Sequence, residues 1–112
     1  VAFAACLAAA PVRAHTANLA GSGVLLCSEL LARLDEPLTR TAFAQWALGF
    51  MSGANMAMGE NVETYRELYG INSDVVIGTL RSHCAETPTE PIRMAVQRLF
   101  STREARHWPK PR

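Results

Sequence analysis

Thr41 to Gly59 reads TAFAQWALGFMSGANMAMG, nineteen residues without an Asp, Glu, Lys or Arg. Small residues at Ala42, Ala44, Ala47, Gly49, Ser52, Gly53, Ala54 and Ala57 alternate with Phe43, Trp46, Leu48, Phe50, Met51, Met56 and Met58. A helix that is apolar nearly all round belongs in the middle of a bundle or in a membrane. The length would suit a span. However, Gln45, Ser52 and Asn55 together with Gly49, Gly53 and Gly59 lower the hydrophobicity below that of a usual one. The stretch therefore reads as the central helix of a soluble bundle. Gly49 and Gly53, four apart, are the place where a neighbouring helix is expected to approach closely.

Working outward, the flanking segments supply that bundle. A first helix is expected from about Val24 to Leu34, with Leu26, Cys27, Leu30, Leu31 and Leu34 on one side. Asp35, Glu36 and Pro37 end it. The central helix opens near Leu38 or Thr39 and stops near Gly59, a residue suited to a left-handed C-cap. Glu60 to Tyr69 reads as a short amphipathic helix closed by Gly70. Ser73 is the expected N-cap of the next helix, with Asp74 in its first turn. Val76, Ile77, Leu80 and Cys84 line its inner face up to about Ala85. Thr89 is the expected cap of the last helix, Pro91 sits in its first turn, and Ile92, Ala95, Val96, Leu99 and Phe100 form its stripe until about Arg103. No run alternates with period two, so the fold class is all-α: a small bundle of four to five helices around a central apolar helix.

The chain has 112 residues, 49% hydrophobic and 19% charged, with a formal charge of +1. One small domain over residues 24–103 is expected, and the near-neutral charge gives no whole-protein electrostatic case for nucleic acid. Basic residues collect from Arg93 onward (Arg98, Arg103, Arg106, Lys110 and Arg112, against Glu104), and 104–112 reads as a solvated basic tail.

Val1 to Ala10 is an uncharged apolar run. Val12-Arg13-Ala14 then offers small residues at the two positions that a signal peptidase reads, so 1–14 reads as the remnant of a signal peptide cleaved after Ala14. Cys6 as an acylated residue fits less well, because the residues after it stay apolar. Removal of 1–14 takes Cys6 with it and leaves Cys27 and Cys84, an even pair expected to form a disulfide in an oxidising compartment, periplasmic or secreted.

Candidate chemistry is sparse. Within the central stretch, Trp46, Gly49, Phe50 and Gly53 form a core motif, and Ser52 and Asn55, three apart on one face, are the residues able to line a small polar pocket. Cys27, His83 and Cys84 lack the spacing of a zinc site, and the disulfide consumes both candidate thiols. No catalytic residue, metal or cofactor is expected, and His15, His83 and His107 read as surface residues.

The early Cys27 opening Cys-Ser-Glu-Leu-Leu, the stretch WALGFMSGAN from Trp46 to Asn55, a helix ending in Cys84 and a proline-started last helix together resemble two groups of exported helical proteins. One comprises the type VI secretion immunity proteins that neutralise peptidoglycan amidases. The other comprises the HdeA/HdeB acid-stress chaperones of the periplasm. The resemblance covers roughly residues 25–100 and implies a non-catalytic binding module. The expected function is an immunity-type inhibitor of a secreted cell-wall effector, with an acid-stress chaperone as the alternative. It implies a protein partner, admits a homodimer, and involves no nucleic acid and no membrane span once the signal is removed.

Overall fold

A computed structural model describes residues 19–108. The expected signal remnant with Cys6, His15 and the end of the basic tail, including Lys110 and Arg112, lie outside the described residues. A single 3-10 turn at Ser22–Val24 leads into α1 (Cys27–Arg33), α2 (Pro37–Val62), β1 (Thr64–Arg66), α3 (Ser73–Glu86), α4 (Ile92–Ser101) and β2 (Ala105–His107). The chain is thus mostly helical, but the all-α expectation is corrected. β1 and β2 form a two-stranded antiparallel sheet with Tyr65 opposite Arg106.

Each helix starts where local chemistry permits. Glu29 accepts the Leu26 N–H at 2.7 Å and satisfies a donor at the head of α1. Pro37 occupies the first position of α2, where a missing N–H costs nothing. Asn72, rather than Ser73, caps α3: its side chain accepts from Val75 N at 2.9 Å. The cap of α4 is Pro91, not Thr89, and Ile92 is its first helical residue. A proline holds the residue before it out of the helical region, and Glu90 is used instead in an extended pairing. Its carbonyl accepts from Cys27 N at 2.7 Å, while Ile92 N donates to Leu25 O at 2.8 Å.

The core takes Cys27, Leu30 and Leu34 from α1, Phe43, Ala44, Ala47 and Met51 from α2, Val76, Ile77, Leu80 and Cys84 from α3, and Ile92, Ala95, Val96 and Leu99 from α4. The inner faces expected of α3 and of most of α4 are therefore buried; Phe100 is half-buried. In α1, Leu26 is exposed instead, because it lies in the extended segment paired with Pro91. Cys27 and Cys84 are joined, with Cα atoms 4.9 Å apart and no exposed surface. Among the described residues, no helix is long and apolar enough to cross a membrane.

The helix expected over Glu60–Tyr69 does not exist. α2 runs past Gly59 to Val62, and Glu63, at φ 56°, makes the left-handed reversal expected of Gly59. Gly59 has a different use: a Cβ there would collide with the Trp108 indole, which packs on the helix at that point. Trp108 also meets Tyr65 at 5.0 Å between ring centroids. The segment expected as a solvated tail therefore begins as a strand that closes over the end of α2.

Candidate functional site

The residues singled out in the central stretch all lie on α2, and the helix sorts them onto different faces. Buried Phe43, Ala44, Ala47 and Met51 make its inner side. Gly49 and Gly53 do not: both are exposed, and a Cβ on either would meet nothing within 4 Å among the described residues. The expected close helix approach at this pair is overturned, as is the picture of a helix covered all round. The uncharged stretch from Thr41 to Gly59 has no charged side to identify its outer face, and the middle of that face is made mostly of small residues.

The outer face is specific in composition. Leu38, Ala42, Gln45, Gly49, Ser52 and Met56 follow one another at spacings of three to four, Gly53 lies beside Ser52, and all are exposed. Leu38 is 86% exposed and Met56 66%. At 1.5 Å per residue this face runs about 27 Å from Leu38 to Met56, and none of its residues is charged; Arg40, the one charge in the interval, turns away to the Leu34 carbonyl at 3.0 Å. Two bulky apolar side chains thus bracket a shallow, small-residue track.

Trp46 and Phe50 lie on the shoulder of α2 and are half-buried. Their rings stack at 5.2 Å between centroids. Trp46 Nε1 donates to Ala20 O at 2.8 Å, which straps the lead-in segment across the helix. Gly21 and Gly23 pass directly over the indole, and a Cβ on either would collide with it.

Ser52 and Asn55 do not share a pocket. Ser52 is exposed on the outer face, whereas Asn55 is half-buried and turned toward β1. Its amide makes two hydrogen bonds to the backbone of one residue: Oδ1 accepts from Arg66 N at 2.6 Å and Nδ2 donates to Arg66 O at 2.8 Å. Asn55 thereby acts as a substitute strand on the edge of β1 that β2 leaves open. With each bond contributing about 1 kcal/mol net, Asn55→Ala is expected to lower stability by about 2 kcal/mol. In hydrogen exchange, amides of β1 and β2 should lose protection before those of α3.

His83, read as a surface residue, is mostly covered, with 12% of its side chain exposed. Nε2 lies 3.2 Å from Glu90 Oε2 and 3.1 Å from Thr87 Oγ1, and Glu90 in turn faces Arg98 at 3.4 Å. The group braces the loop that pairs with Cys27, next to the disulfide. Among the described residues no cluster of three or more His, Cys, Asp or Glu is placed to hold a metal ion.

No family model, curated protein or solved structure matches this chain.

Proposed function

We propose that this chain is a non-catalytic, exported protein-binding module of the immunity type, which engages one protein partner through the outer face of α2. The observation that carries the reading is the 27 Å track itself, about 18 residues of helix at 1.5 Å each, uncharged and bracketed by exposed Leu38 and Met56. Soluble proteins intersperse charges over an exposed helix. A long neutral strip with protruding apolar ends is the composition of an interface centre, where charged residues are depleted. The small residues allow a partner's backbone to come close. Export is supported by the buried Cys27–Cys84 bond, since disulfides persist in oxidising compartments.

Gly49→Arg separates binding from folding. Position 49 is open, and glycine is the poorer helix former by several tenths of a kcal/mol, so the variant keeps or slightly gains stability. Burying its charge without a counter-ion should weaken binding about 100-fold, or about 2.7 kcal/mol. The partner is captured from an extract of the host envelope, and its affinity for both forms is measured by calorimetry at neutral pH. Unchanged affinity, or rescue of many unrelated proteins from aggregation only in acid, would overturn the reading.

A further inference from the structure

The loop from Glu67 to Asn72 carries Tyr69, which at 89% exposure is the most exposed aromatic residue described. A lone exposed tyrosine is ordinary; this one stands on a backbone that is held from several sides. Its N–H donates to Glu67 Oε1 at 2.8 Å, and Ile71 N donates to Leu68 O at 3.1 Å. Arg103 reaches back from beyond α4, donating from Nε to Glu67 O at 2.8 Å and from Nη2 to Tyr69 O at 3.3 Å. Leu68 and Ile71 pack against the core on either side of the tip, and Gly70, at φ 83°, makes the turn.

The charges around it are the second observation. Arg66 Nη1 donates to Ser101 O at 3.1 Å and to Arg103 O at 2.8 Å, so the two arginines interlock. Both guanidiniums are fixed by neutral carbonyls, and neither has a carboxylate within salt-bridge distance among the described residues. Arg66 Nε and Nη2 and Arg103 Nη1 make no hydrogen bond to those residues. Arg106 differs: Glu104 at 3.1 Å and Glu67 at 3.6 Å neutralise it. Hydrogen bonding to Glu104 and the attraction of that carboxylate push its guanidinium further up from its ordinary value.

We propose that Tyr69, Arg66 and Arg103 form a preorganised docking knob for a protein partner whose concave site is lined by carboxylates. Tyrosine and arginine, with tryptophan, are the residues enriched among binding hot spots. Holding the Tyr69 backbone and the two guanidiniums before encounter removes part of the ordering cost of association. Arg66 presents an unused edge, Nε and Nη2, that matches a carboxylate in a forked geometry, and Arg103 adds the single unused Nη1 beside it. The acidic Glu67 and Glu104 beside them oppose a continuous phosphate surface while leaving room for discrete carboxylates, which favours a protein over a membrane or nucleic acid. The inference rests on the reading of this chain as a protein-binding module but uses none of the residues of the α2 track.

The test is a two-dimensional NMR titration of the full chain at about 20 mM salt, where screening is weak. A penta-glutamate peptide stands in for the carboxylates, and phosphatidylglycerol vesicles and a single-stranded oligothymidylate are titrated separately. The peptide is expected to shift the Tyr69 and Gly70 amides and the Nε–Hε signals of Arg66 and Arg103. Gly49 and Ser52 should not move. Tyr69→Glu, at a position outside the core, should leave the remaining spectrum intact and weaken the peptide's effect at least fivefold. Absent shifts at these residues, an unaltered titration in Tyr69→Glu, or tighter binding of the vesicle or oligonucleotide to the same signals would each overturn the proposal. None of these outcomes alters the Gly49→Arg experiment, so the two readings fail separately.

Discussion

Replacing Cys27 and Cys84 together by alanine is expected to remove about 4 kcal/mol of stability. The bond closes a separation of 57 residues, and the chain-entropy account assigns roughly that value to such a ring. Net stabilities of domains lie at about 5–15 kcal/mol, so the variant sits near the edge of folding at 25 °C. Urea denaturation of the oxidised protein and of the double variant measures the difference; a change below about 1 kcal/mol would show that the ring adds little to the packing of α1 on α3. Both sulfurs are fully buried, so thiol reagents should reduce the native protein only as fast as it opens. The extended pairing of Cys27 with Glu90 and of Ile92 with Leu25 should weaken with the bond, because both join the same seam.

Gly23→Ala carries the second large effect, about 2–3 kcal/mol, the upper part of the range for overpacked cores. Gly23 is buried, and the new methyl would collide with the six-membered ring of Trp46. That ring has little freedom to yield: its Nε1 is bonded to Ala20 O and its face is stacked on Phe50. For a domain of this size the melting temperature should fall by about 10 °C or more. Thermal unfolding by circular dichroism checks the value. A fall of only a degree or two would show that the lead-in segment detaches from α2 at little cost.

Much of the helical framework was legible because its signals are local. Val76, Ile77, Leu80 and Cys84 in α3 and Ile92, Ala95, Val96 and Leu99 in α4 recur at three and four, and they are buried as that period requires. Cys27 and Cys84 are an even pair once Cys6 is set aside, and they are joined as that parity requires. α2 was legible as a helix but not in its orientation. Periodicity identifies an inner face by contrast with a charged outer one, and between Thr41 and Gly59 there is no such contrast. Only the packing distinguishes Ala47 from Gly49.

The sheet and the loop beside it were illegible for a different reason. β1 and β2 are three residues each and are paired across some forty residues of chain, too short for alternation to register. Asn55 finds its partner in a backbone, and the Tyr69 loop is anchored by an arginine 34 residues away. These contacts have no sequence spacing of their own. The glycines were the available clue: Gly23 and Gly59 each stand where an indole must pass, one for each tryptophan of the chain.

That arrangement gives the molecule two built-in chromophores with separate tasks. Trp46 lies under the strap of residues 20–24, and Trp108 lies on Gly59 beside Tyr65. The two seats are about 20 Å apart along α2. Emission from one records the arrival of the first described segment of the chain, and emission from the other records the last. With either tryptophan replaced by phenylalanine, the closing of the two ends can be timed independently, without an added dye.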